Sequence, residues 1–134
     1  MTLVIIYVLL AALMPFLFLV LSGLPAKAAV ARWGPGYDND DPRASLEKLD
    51  GWRKRAHFAQ LNGHEAFAPF TSALLLATWA HASTAVLGAV FLGFRLVHGL
   101  AYIAGSGRLR SLFWWGSFGS TLGLFGAALH ASIG

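Results

Sequence analysis

The sequence predicts an all-α membrane protein: a four-transmembrane-helix bundle forming a single domain over residues 1–134. Three observations carry this prediction. The chain is 57% hydrophobic and 12% charged, roughly half the charge of an average soluble domain. The charges are clustered: every acid except Glu65, and every basic residue except Arg95, Arg108 and Arg110, lies between Lys27 and Arg55. What remains divides into four largely apolar runs, and about 20 such residues cross a bilayer.

The first run, about 3–24, is uncharged. A cleaved signal peptide would need basic residues ahead of it and a shorter apolar stretch. Nothing basic precedes Leu3, so the run reads as a span, with Pro15 expected to kink it. Residues of about 25–51 form a polar loop dense in turn formers around Trp33 and Asp38–Asp41. The Asp cluster lacks the closing Glu of a calcium loop and reads as a solvated turn. The second helix covers about 52–82, with its first turns outside the membrane. A very short link leads to the third, about 85–104. A Gly/Ser/Arg loop then precedes the fourth, about 112–133.

Four spans put the first and third loops on one side, and these loops with their flanks hold all the Lys and Arg but Arg95. The positive-inside rule makes that side cytoplasmic, with both termini on the other side. In a bacterium this is the inner membrane. The tryptophans near the span ends, Trp114 and Trp115 included, read as an interfacial belt.

Composition also excludes chemistry. Without cysteine there is no disulfide framework and no thiolate nucleophile in the chain. The histidines lack metal-binding spacings, so no metal is expected. The net charge of +4 follows from cytoplasmic loop residues, and no nucleic-acid partner is implied.

Two polar stripes remain. Arg55, Asn62, Glu65 and Pro69 follow at intervals of seven, three and four, one face of a helix. Arg95, His98 and Tyr102 follow at three and four on the third helix. Ionisable side chains at membrane depth must face protein or water. Glu65 and Arg95 are the two charges inside spans, and mutual neutralisation, directly or across a subunit boundary, is the structural expectation. A bound polar ligand is the functional one, because charge pairing alone does not require Asn62, His98 and Tyr102 beside it. On the fourth helix, Gly116, Gly119, Gly123 and Gly126 form a small-residue face with a GxxxG at Gly119 and Gly123, expected to be a packing seam.

The run Arg55, Ala59, Asn62, Glu65, Pro69 resembles the second-helix signature of the MAPEG family, the membrane-associated proteins in eicosanoid and glutathione metabolism. Arg95, His98 and Tyr102, followed by Arg110-Ser111, resemble the third-helix and following-loop pattern of its prostaglandin-E-synthase branch. The likeness extends over nearly the whole chain.

The resemblance implies a homotrimer of four-helix protomers in membrane lipid, with glutathione as co-substrate between protomers. Asn62 and Glu65 would then hold the peptide's amine end, and His98 and Tyr102 would contact it from the third helix. Arg55 and Arg95 join the ligand-binding set. Arg110 would stabilise the thiolate for transfer to a lipophilic substrate, with Ser111 as a hydroxyl neighbour. The chain departs from the pattern at Phe58 and Leu61, where many glutathione-using members carry arginines. That departure supports the alternative of a non-catalytic subunit that partners another membrane protein.

Overall fold

The fold is that of a computed structural model, which describes residues 1–21 and 51–133. The polar loop expected over 25–51 lies outside these residues, except for Gly51. Four helices make up the described chain: α1 (Thr2–Leu21), α2 (Gly51–Trp79), α3 (Ala85–Ala104) and α4 (Gly107–Ile133). Each apolar run of the sequence has become one helix, and among the described residues there is no strand.

The links are short, so consecutive helices from α2 to α4 run antiparallel. Both are closed by the same backbone device. At the end of α2, His81 takes a left-handed φ of 58°, and the N–H groups of His81 and Ala82 return to the carbonyls of Thr78 and Ala77. At the end of α3, Gly105 does the same with φ 81°, and Gly105 and Ser106 donate to Tyr102 and Ala101. These are Schellman caps, which satisfy carbonyls that a helix end otherwise leaves open. Glycine adopts the left-handed region freely, whereas histidine does so at a cost.

The fourth helix begins at Gly107, earlier than the start near residue 112 read from hydropathy. Only Gly105 and Ser106 separate it from α3. Arg108, Arg110 and Ser111 therefore sit in the first turns of a helix and not in a loop.

The bundle is closed by close backbone approaches. Pro15 of α1 is buried against Gly63 of α2, where a Cβ would lie 2.9 Å from the proline ring. The Phe18 ring occupies the space a side chain at Gly99 would need. The helix runs through Pro15 as one element. The core at mid-depth is aromatic and aliphatic: Phe70, Leu74 and Leu124 are fully buried, and the Phe70 and Phe91 rings stack at 3.7 Å.

The outer surface is apolar. Leu9, Leu13 and Phe16 of α1 are about half exposed, as is Leu100 of α3. In water such a surface would be a liability, whereas in lipid it is the solvent-facing side. Two helices, α1 and α3, are long and apolar enough on their own to cross a bilayer, with mean hydropathies of 2.9 and 1.7.

The glycine face of α4 divides in two. Gly116 meets the Phe94 ring and Gly123 meets Leu87, both from α3. Gly119 and Gly126 meet nothing within 4 Å. The seam inside the protomer is thus the pair seven residues apart, and the two glycines of the GxxxG look in different directions.

Candidate functional site

The antiparallel order brings the N-terminal half of α2, the C-terminal half of α3 and the first turns of α4 to the same end. There the two polar stripes meet. Arg95, only 4% exposed, donates from Nη2 to the Asn62 backbone carbonyl at 2.7 Å and to Asn62 Oδ1 at 2.9 Å. The Asn62 amide in turn donates to Glu65 Oε2 at 3.2 Å. Direct pairing of Glu65 with Arg95 is therefore not what forms within the protomer, because Asn62 stands between them. A short polar side chain on the shared face reaches the guanidinium first, and the carboxylate, a turn away, is left exposed.

His98 is buried, 2% exposed. Its Nδ1 lies 2.9 Å from the Arg110 carbonyl. A carbonyl can only accept, so Nδ1 carries the proton. In the neutral ring Nε2 is then an acceptor, and it is buried without a partner. His98 thus ties the backbone of α4 to α3 at Arg110. The Arg110 guanidinium lies over the Tyr102 ring at 4.7 Å, a cation–π contact. The Tyr102 ring meets His98 edge-on at 5.8 Å. Among the described residues, no hydrogen bond uses the guanidinium's own N–H groups, so they remain available to an anion.

These groups line two adjoining cavities. The outer one, about 290 Å³, is lined by Asn62, His98, Tyr102, Arg110, Ser111, Trp114 and Trp115. The inner one, about 250 Å³, is lined by Asn62, Glu65 and Arg95 on one side and by Pro69, Phe91, Trp114 and Phe118 among others. Seven of the eight residues singled out in the sequence come together here. The eighth, Arg55, lines neither cavity. Its Nε donates to the Ile103 carbonyl at 2.8 Å, so it places a cation on the last turn of α3, where the helix dipole favours one.

The sequence reading missed the α4 wall. Trp114 and Trp115, expected in an interfacial belt, line the outer cavity. Ser117 and Thr121 line the inner one. A signal was present: Arg110, Trp114, Ser117 and Thr121 follow at intervals of four, three and four, one face of a helix. The neighbouring glycines drew the reading to a different face. Among the described residues no cluster of three His, Asp or Glu could hold a metal ion.

Apolar exterior, helical bundle and polar cleft at membrane depth together define an integral membrane protein with a built-in polar cleft between its helices. The chain belongs to the MAPEG family, whose model matches residues 3–130. A search of curated proteins found no match.

Proposed function

We propose that the outer cavity binds glutathione or a related small thiol and presents its sulfur for transfer to a lipophilic electrophile. The observation that carries this reading is the convergence of Arg110, His98, Tyr102, Ser111 and Asn62 from three helices on one cavity. Arg110 is the cation whose N–H groups are unspent. A cation beside sulfur favours the thiolate, which is the nucleophile. His98 holds Arg110 in place through its backbone carbonyl, and Asn62, at the junction of the two cavities with Glu65 behind it, suits an ammonium group. The thiol proton passes to water as the thiolate forms; sulfur then bonds to the electrophilic carbon as that carbon's bond to its leaving group breaks, releasing halide where the electrophile is an aryl halide.

A homotrimer completes the reading. Phe58, Leu61, Glu65, Ala68, Ser72, Leu75 and Trp79 are all exposed on α2. They follow at alternating intervals of three and four, the 3.5-residue repeat of a left-handed helix seam. A second copy on this seam would cover the exposed Glu65 and lay its own α2 beside the cleft. The membrane is an inner membrane, with the charged end of α2 and the start of α4 cytoplasmic and both termini outside.

A second reading keeps the fold without the chemistry. Phe58 and Leu61, each 41% exposed, supply no cation for the carboxylates of glutathione, and a charged hydrogen bond contributes roughly 1.5–3 kcal/mol. On this reading the protein is a membrane subunit with a protein partner. Isothermal titration of detergent-purified protein with glutathione, alongside conjugation of a model aryl halide, separates the two. Binding with turnover supports the transferase. No binding at millimolar glutathione, together with a stoichiometric partner in mild detergent, supports the subunit.

A further inference from the structure

The two cavities lie end to end along the helix axes, and the register of three helices fixes their order. On α4 the outer cavity uses Arg110 and the inner uses Thr121, while on antiparallel α3 the outer uses Tyr102 and the inner uses Phe91. Asn62 and Trp114 belong to both. Asn62 is held by Arg95. Trp114 is held by rings: it stacks on Phe118 at 5.2 Å and 13° and meets Trp115 edge-on at 4.8 Å. Ser117 Oγ donates to the Trp114 carbonyl at 2.8 Å.

We propose that Trp114 is the partition between two ligand chambers of one protomer, and that the inner chamber takes a small, flat, apolar molecule carrying a neutral acceptor oxygen, whose size Trp114 limits. Flatness follows from the walls, where Phe91, Trp114 and Phe118 present ring faces and edges. Smallness follows from the volume of about 250 Å³, the lesser of the two chambers. The oxygen follows from Arg95. Its Nη2 is committed to Asn62, whereas its Nε and Nη1 make no hydrogen bond among the described residues. The Ser117 and Thr121 hydroxyls are already spent on backbone carbonyls. Glu65 on the same wall disfavours a carboxylate, which leaves a ketone or quinone oxygen as the fitting acceptor. The thiol-binding reading is needed only for the claim that this molecule is the co-substrate. Occupancy of the inner chamber stands without it.

Anthraquinone, a planar quinone, fits this class and reports its own position, because its irradiated carbonyl abstracts hydrogen from a neighbouring C–H bond and the two radicals couple. The full chain, purified in detergent without thiol, is irradiated with anthraquinone and the adducts are mapped by mass spectrometry. Adducts are expected on Pro69, Phe91 or Thr121 and should persist in excess glutathione. Trp114→Phe should keep this pattern, and Trp114→Ala should extend it to Tyr102 and Arg110. Adducts confined to the lipid-facing groove of Leu13, Leu17 and Leu96, or no adducts, would overturn the proposal. So would displacement by glutathione, or an unchanged map in Trp114→Ala. The first two results are read on the native chain and do not depend on a variant folding. Inner-chamber adducts in a protein that fails to bind glutathione would remove the thiol reading and leave the chamber standing.

Discussion

Arg95 and Arg110 both serve the same cleft, and their settings are opposite. Arg95 is buried and its Nη2 is bonded twice to Asn62, tying α3 to α2. Arg110 is half-buried, rests on the Tyr102 ring, and is fixed through its backbone by His98. A guanidinium bonded twice through one nitrogen to a single neighbour orients that neighbour. One held by a ring face keeps its N–H groups for an incoming anion. On the proposed thiol-binding function, the difference fits positioning of Asn62 by Arg95 and thiolate stabilisation by Arg110.

The comparison breaks first, and most visibly, at Arg110. Arg110→Ala should lower the conjugation rate about 10²–10³-fold, as expected when one stabilising donor is lost from a developing anion. Its resistance to denaturing detergent should fall by no more than about 1 kcal/mol, the scale of the cation–π contact to Tyr102 that is lost. Steady-state kinetics and a detergent-unfolding curve on the same preparation check both halves.

Arg95→Met should do the reverse. It leaves Asn62 Oδ1 without its donor, and loss of a charged hydrogen bond costs about 1.5–3 kcal/mol. The unfolding midpoint should fall, and conjugation should fall only as far as Asn62 loses its orientation. If Arg110→Ala proved the destabilised variant and Arg95→Met the inert one, the two roles would have to be exchanged.

The seam between α3 and α4, which sets the height of Arg110 beside His98, can be probed on one helix. Gly116→Ala forces a Cβ against the Phe94 ring, and overpacking costs about 1–3 kcal/mol. Gly119→Ala meets open space and should leave stability unchanged or slightly raised. Equal effects in the unfolding curves would mean that α3 does not pack on one glycine pair in preference to the other. A modest effect of the opposite sign is expected at His81, where His81→Gly relieves a left-handed φ of 58° and should stabilise by about 1 kcal/mol.

The sequence made the helices and most of the cleft legible because helical periodicity is local. Intervals of three and four place Asn62 with Glu65, and Arg95 with His98 and Tyr102, without knowledge of any neighbour. What stayed hidden depends on register between helices. The wheels put Asn62 and Glu65 on one stripe and Arg95 on another, but do not show that Asn62 reaches Arg95 first. They assign four glycines to one broad face, but cannot tell that Phe94 and Leu87 choose only Gly116 and Gly123. Hydropathy started α4 after its arginines because charged first turns look like loop. For the same reason Arg110 was read apart from Trp114, Ser117 and Thr121, with which it shares a helix face.

The most direct test is the state of sulfur in the bound thiol. Glutathione is titrated into the purified protein, and the ultraviolet absorbance of the thiolate is followed at neutral pH, for the native chain, Arg95→Met and Arg110→Ala. A thiolate signal is expected in the native chain, a weaker-binding but still visible one in Arg95→Met, and none in Arg110→Ala at saturating ligand. A thiolate signal that survives Arg110→Ala, or a native chain that binds glutathione without ionising it, would remove Arg110 from the proposed role.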